Sequence, residues 1–257
     1  MTALSTPKQQ VFELLKSIET GDPAPVAYIN PAKYIQHNLS AADGLQGFGE
    51  LMQMLPPHSA KANTLRVFED GDYVFTHTDY DFFGPKAGFD IFRFENGQIV
   101  EHWDNLQEKP GQPNPSGHTM FDGANQLKDL HLTDKNKAFV RRFVEEVLIH
   151  GQFDKLPAYI NRQRYIQHNP QIADGLDGLA QGIQALAAQG LSMQYTQIHK
   201  ILGEGCFVLV VSEGLLGGQP TAFYDLFQVE EGLITEHWDT IEAIPPRPAW
   251  KNSNGKF

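Results

Sequence analysis

Thiols are almost missing from this 257-residue chain, with Cys206 the single cysteine. An intrachain disulfide framework and cysteine-based zinc sites are therefore excluded, and nothing calls for an oxidising compartment. Basic residues are also scarce. Lys and Arg number 20 against 31 Asp and Glu, a formal net charge of −11. A surface of that sign repels phosphate backbones and anionic bilayers, so neither nucleic acid nor membrane is an expected partner. No apolar run is long enough for a transmembrane helix, and Met1-Thr2-Ala3-Leu4-Ser5-Thr6-Pro7 lacks a basic stretch leading into an apolar one. A cytoplasmic location is expected. Also missing are a P-loop, a dinucleotide fingerprint between strand and helix, a His-Glu-x-x-His helix and a Gly-x-Ser-x-Gly elbow.

What the chain does have is an internal repeat. Tyr34-Ile35-Gln36-His37-Asn38 recurs as Tyr165-Ile166-Gln167-His168-Asn169, and Asp43-Gly44-Leu45 as Asp174-Gly175-Leu176. Glu101-His102-Trp103-Asp104 recurs as Glu236-His237-Trp238-Asp239. The blocks keep their order, and the period is far longer than that of a solenoid. Each copy is long enough to be a domain. The expected division is a first domain over 1–107, a Pro/Gly-rich linker over 108–131 and a second domain over 132–257. The linker begins Glu108-Lys109-Pro110-Gly111-Gln112-Pro113, which continues neither a helix nor a central strand.

Each copy opens with helices and closes with strands. Thr6-Pro7 is an N-cap and first-turn pair, and Val11, Leu14, Leu15 and Ile18 follow helical spacing. In the second copy Thr133 is expected to cap the run holding Val140, Phe143 and Val147, which stops at Gly151. Strands are predicted over 65–69, 73–79, 89–95 and 98–106, and again over 194–202, 207–213, 221–230 and 233–241. Asn96-Gly97 and Glu231-Gly232 are two-residue hairpin turns. This order predicts an α+β fold, with helices on one face of a curved, mainly antiparallel sheet in each copy.

An unbroken hairpin register puts Asp90, Phe92, Phe94, Ile99, Glu101 and Trp103 on one face, and Ile91, Arg93, Val100, His102 and Asp104 on the other. The second copy repeats this with Asp225, Phe227, Glu236 and Trp238 together. The more apolar Asp face is assigned to the interior, an assignment that a one-residue bulge would partly invert. A carboxylate among Phe and Trp side chains either finds hydrogen-bond partners or becomes a general base of raised proton affinity. His77 shares the alternation Tyr73, Phe75, His77 and is expected near Asp90. The matching residue in the second copy is Val211, which favours the first copy as the active one. His37-Asn38 and His168-Asn169 either cap a helix or bind a ligand at a cavity mouth. Trp103, Phe92 and Tyr73, with Asp225 and Trp238 in the second copy, complete the expected lining. Glu-His-Trp-Asp alternates faces and is a poor local chelate, so no metal is expected.

These blocks resemble SnoaL-like polyketide cyclases, of the nuclear transport factor 2-like superfamily. The resemblance rests on Tyr-Ile-Gln-His-Asn at 34–38 and 165–169, on 90–104 and its copy at 225–239, and on the tails 112–121 and 250–257. It implies a tandem pair of cone-shaped α+β barrels whose helices close a deep pocket, paired within the chain, with further homo-oligomerisation open. Apolar Ile91, Tyr224 and Leu226 on the face away from the helices agree with that pairing. It also implies cofactor-free ring closure of a small hydrophobic carbonyl compound, with Asp90 as acid/base and His77 as its partner. The alternatives are a non-catalytic small-molecule binder and an interaction module whose pockets are closed by side chains.

Overall fold

The computed structural model describes residues 5–55 and 59–257. Residues 1–4, part of the N-terminal stretch read above, lie outside it. The chain divides into two compact units, one of residues 1–108 with 245–257 and the other of residues 109–244. The segment expected as a free linker thus counts with the second unit, and the end of the expected second domain counts with the first. Hydrogen bonds explain the exchange. Asn114 Nδ2 donates to the carbonyls of Gln167 and Ile172, and Asn252 Nδ2 donates to those of Asn38 and Ala41.

In the first unit helix α1, Pro7–Thr20, starts on Thr6, whose side chain accepts from the Gln9 amide as expected. Its buried Val11, Leu14 and Leu15 pack with Ile29, Val74, Phe92 and Ile99. Strand β1, Ile35–Gln36, and helix α2, Gly44–Gln53, precede a meander of β2 (Lys61–Asp70), β3 (Tyr73–Asp81), β4 (Pro85–Glu95) and β5 (Gln98–Glu108). The sheet order is β1-β5-β4-β3-β2, with β1 parallel to β5 and the other pairs antiparallel.

The second unit repeats the plan. Helix α3, Thr133–Phe143, runs on as a π-helical stretch over Val144–Ile149 and ends before Gly151. The expected Thr133 cap is not made. Thr133 is already helical, and its hydroxyl donates to the Leu130 carbonyl. A short helix α4 (Leu156–Tyr159), strand β6 (Ile166–Gln167) and helix α5 (Gly175–Ala188) lead to β7 (Met193–Glu204), β8 (Phe207–Leu216), β9 (Gln219–Glu230) and β10 (Leu233–Ala243). The order is β6-β10-β9-β8-β7, so both units are α+β with five-stranded mixed sheets. Among the described residues no helix is long and apolar enough to cross a membrane.

The hairpin turns form as predicted. Asn96 and Gly97 both have positive φ, as do Glu231 and Gly232, the type I′ signature. Beyond the first turn the expected register fails. Phe94 faces Ile99, but Arg93 faces Glu101, Phe92 faces His102 and Asp90 faces Asp104, leaving Val100 as an extra residue. In β10 the extra residue is Thr235, after which Phe227 faces His237 and Asp225 faces Asp239. Because side chains alternate with a period of two, one extra residue reverses every later side chain. His102 and Asp104 therefore turn to the interior, and Glu101 and Trp103 turn away.

Deleting Val100 should return Glu101 and Trp103 to the interior face and remove cooperative unfolding of the first unit. Hydrogen exchange resolved by peptide checks this, and native protection of β4 and β5 in the deletion variant would contradict the register.

Candidate active site

The site is built from the repeated blocks. In the first unit Gln36 and Asn38, separated by one residue on an extended segment, point the same way, and His37 points oppositely. Parallel pairing sets Gln36 beside His102. The His102 ring is then held at both nitrogens, Nδ1 lying 3.0 Å from Gln36 Oε1 and Nε2 3.1 Å from Asp90 Oδ1. The orientation of the Gln36 amide follows from the Asn38 backbone N–H, which donates to the same Oε1 at 2.8 Å. That oxygen is an acceptor, so His102 Nδ1 carries a hydrogen. Any hydrogen between Nε2 and Asp90 is consequently one that the imidazole and the carboxyl share.

The second unit builds the same pair. His237 Nδ1 lies 2.9 Å from Gln167 Oε1, and Nε2 lies 3.0 Å from Asp225 Oδ1. The His168 and Asn169 amides both donate to Gln167 Oε1 at 3.0 Å. A second carboxylate completes each cluster. Asn38 Nδ2 donates to Asp104, and Asn169 Nδ2 donates to Asp239 at 2.7 Å.

A buried phenol serves each acid, but from a different strand. Tyr80 on β3 donates to Asp90 Oδ2 at 2.7 Å, and Tyr195 on β7 donates to Asp225 Oδ1 at 3.2 Å. Thr76 faces Asp90 and Val210 faces Asp225, so Tyr80 and Gly214 occupy the same step of their strands. Tyr80 is paired with Ala62, and Gly214 with Tyr195. The bulky and the small member of this cross-strand pair have changed places. A Cβ on Gly214 would lie 1.9 Å from the Gln194 carbonyl oxygen, so only glycine admits the close approach. Burial, then the adjacent carboxylate, pushes both phenols well above their ordinary range and keeps them as donors.

Each cluster opens on a small apolar cavity of about 60 Å³. The first is lined by Leu14, Tyr34, Phe92 and Phe48 around Asp90, His102 and Asp104. The second is lined by Phe143, Tyr165, Ile183 and Phe227 around Asp225, His237 and Asp239. In the first unit Ile18, Phe48, Met52 and Leu55 also line an outer groove of about 500 Å³.

Burial works against charge on His237, but the Asp225 hydrogen bond and the Asp239 and Asp225 carboxylates outweigh it and hold the ring above its ordinary value. Burial pushes the Asp239 carboxyl up to about 6, with His237 opposing and Asp225 reinforcing the rise. The two acids with one histidine are close enough to hold a cation in each unit. Both imidazole nitrogens are already spent on glutamine and aspartate, however, and the arrangement suits a proton better than a metal ion.

Several expected site residues lie elsewhere. His77 faces Phe89, on the side of the sheet opposite Asp90. It stacks on Phe89 at 4.4 Å, and Arg66 Nη1 donates to its Nδ1 at 3.1 Å. His77 therefore does not pair with Asp90, and the Val211 difference does not separate the two sites. His37 is stacked on Trp103 at 4.6 Å and His168 on Trp238 at 4.7 Å, away from the cavities. Each bonds a glutamate, Glu101 or Glu236, and a backbone carbonyl, and neither caps a helix. Tyr73 lies against Trp103. Asp90, Phe92, Asn38 and Asp225 do line their cavities, and Asn169 stands behind Asp239. Sequence reading missed His102, Asp104, Gln36, Tyr80 and their counterparts. The signal was present in the Gln-x-Asn spacing and the repeated His-x-Asp, with the bulge concealing their common face.

No protein-family model and no curated protein matches the chain. Solved structures similar to it are nuclear transport factor 2-like proteins, polyketide cyclases and ketosteroid isomerase-like proteins. One is an NTF2-like protein of unknown function from Cytophaga hutchinsonii, 19% identical over 42% of this chain and 95% of its own, with a TM-score of 0.36. Another is IdmH of Streptomyces antibioticus, assigned as a polyketide cyclase, 20% identical over 40% of this chain and 93% of its own, with a TM-score of 0.35. A third, from Kribbella flavida and assigned as a ketosteroid isomerase, is 20% identical over 46% of this chain and 85% of its own, with a TM-score of 0.36.

Asp239 holds its proton more tightly folded than unfolded, so its stabilising contribution is complete below pH 3.8 and is lost as pH rises through about 6. Relative to wild type, Asp239→Asn should therefore gain stability between those limits, on the order of 2–3 kcal/mol at most. Urea unfolding at a series of pH values measures the difference. A difference that does not vary with pH would show that folding leaves the proton affinity of Asp239 unchanged.

Proposed function

We propose that each unit is a cofactor-independent acid–base catalyst of the cyclase or isomerase type, acting on a small hydrophobic carbonyl compound. The observation that carries this reading is the proton-sharing carboxyl–imidazole pair inside an apolar cavity, Asp90–His102 in one unit and Asp225–His237 in the other. In such a cavity the carboxylate meets a substrate without competing bulk water, which suits removal of a proton from carbon next to a carbonyl. The C–H electron pair moves into the carbonyl to give an enolate, and the aspartate receives the proton. Return of that proton to another carbon is an isomerisation, and attack of the enolate on a second carbonyl of the same molecule closes a ring. Histidine, held as the Nδ1–H tautomer by glutamine, balances the charge as the aspartate cycles between its two states.

The acceptor atom differs between the units. Asp90 Oδ2 accepts from Tyr80, and its Oδ1 faces His102. In the second unit both contacts fall on Asp225 Oδ1, and Oδ2 is a buried oxygen with no hydrogen-bond partner among the described residues. The second unit thus presents the more open base, whereas Asp90 accepts a substrate proton once Tyr80 turns from it.

Cofactor-free hydrogen–deuterium exchange of 1,3-dicarbonyl esters and lactones, followed by NMR, tests this. Asp90→Asn and Asp225→Asn should each remove the contribution of their own unit, and the double variant should lose about 10²–10⁴-fold. Full exchange by the folded double variant would sink the assignment. Saturable binding without exchange by wild type would make the units binding proteins instead.

A further inference from the structure

The segment 245–257 brings a buried lysine to the first unit. Its Gly255 carbonyl accepts from His37 Nδ1 at 2.9 Å, as the Thr119 carbonyl accepts from His168 Nδ1 at 2.8 Å. Asn252 and Asn114 both donate to the loop after the Tyr-Ile-Gln-His-Asn strand, to the matching carbonyls of Ala41 and Ile172. The residue after each accepting carbonyl is Lys256 in the first unit and Met120 in the second, and both side chains are 4% exposed. Methionine is an ordinary occupant of a buried slot, whereas lysine is costly there unless paired. Lys256 Nζ lies 3.6 Å from Asp104 Oδ1, both side chains being more than nine-tenths buried.

We propose that Lys256 is a positioning residue of the first-unit site, a buried cation behind Asp104 that makes the two acid–base clusters of this chain electrostatically unequal. The inference takes the Asp90–His102–Asp104 cluster as a catalytic site and to that extent rests on the function proposed above. The ionisable groups around Asp104 are Asp90 on β4, His102 on β5, Tyr80 on β3 and Tyr34 ahead of β1. Around Asp239, among the described residues, stand Asp225, His237, His168, Tyr165 and Tyr195. One cluster therefore balances two carboxylates with imidazole and ammonium, the other with imidazole alone. The first cluster thus sets an ammonium group beside its second carboxylate. In the second, Asp239 is itself a proton store close to neutrality, with its carboxyl pushed up to about 6.

Two arms on the full chain test this without any substrate, so their outcome is independent of whether Asp90→Asn loses exchange activity. In the first, Met120→Lys transplants the cation. The carboxyl-carbon NMR titration of Asp239 should move down from about 6 by roughly one pH unit or more, since a cation at that range favours the ionised form. An unmoved midpoint in the folded variant would overturn the proposal, and so would failure of Met120→Lys to fold, because a lysine in that slot should find Asp239. In the second arm, Lys256→Met should destabilise more at pH 8 than at pH 5, where protonation relieves a carboxylate left without its cation. Lys256→Arg should restore the wild-type profile. Combining Lys256→Met with Asp104→Asn should recover roughly tenfold or more in the unfolding equilibrium relative to additive losses. A loss that ignores pH and persists undiminished beside Asp104→Asn would mean that Lys256 only fills space. Should Lys256→Met not fold, the first arm decides.

Discussion

One proton held between a carboxyl and an imidazole, away from water, sets the demands the surrounding structure meets. The pair is useful only if the ring presents the correct nitrogen, and a histidine by itself does not choose. Here the choice is made by a glutamine oxygen, and the glutamine is oriented in turn by backbone N–H groups of the loop that follows it. This accounts for a two-residue parallel strand at the edge of each sheet. Ile35–Gln36 and Ile166–Gln167 add little to sheet stability, but they set Gln36 beside His102 and Gln167 beside His237. Asp43 and Asp174 tie the same strands down by accepting the Gln36 and Gln167 amides at 2.9 Å.

Much of the fold was legible in the sequence because it rests on local chemistry. The strand set, the Asn-Gly turn, the Thr6 cap and the duplication follow from short-range patterns, and all are present. The candidate site was only half legible. Asp90 and Asp225 could be placed inside because an alternating apolar strand carries them. Their partners could not, because Val100 and Thr235 carry no mark of a bulge. Both are β-branched residues comfortable in a regular ladder. One uncounted residue exchanged His102 for Trp103, which left His77 as the nearest visible histidine. His37 and His168 stack on the tryptophans that the same slip turned away from the interior.

The two units separate what the site requires from what it tolerates. Both contain the aspartate–histidine pair, the glutamine that orients it, the asparagine on the second carboxylate and a tyrosine ahead of the edge strand. Both also contain a phenol on the histidine-paired aspartate, although it arrives from β3 in one case and from β7 in the other. A group reached by two structural routes is tied to the carboxylate rather than to a strand position. Packing alone would not demand it, for Ala62 with Tyr80 and Tyr195 with Gly214 fill the same cross-strand space either way.

Cavity size then determines where selectivity resides. About 60 Å³ beside each acid admits a few atoms, whereas sites for whole small molecules run to roughly 300–1,000 Å³. The inner space therefore admits only a few atoms of a ligand, and the rest of a small molecule would lie outward. In the first unit Ile18, Phe48, Met52 and Leu55 belong to both the inner cavity and the outer groove. These side chains, from α1 and from α2 and its exit, lie between the chemistry and the body of any ligand. Exchanging them would alter which molecules reach Asp90 while leaving the proton-sharing pair untouched, because the contacts that orient it come from Gln36, Asn38 and Tyr80, all outside the helices.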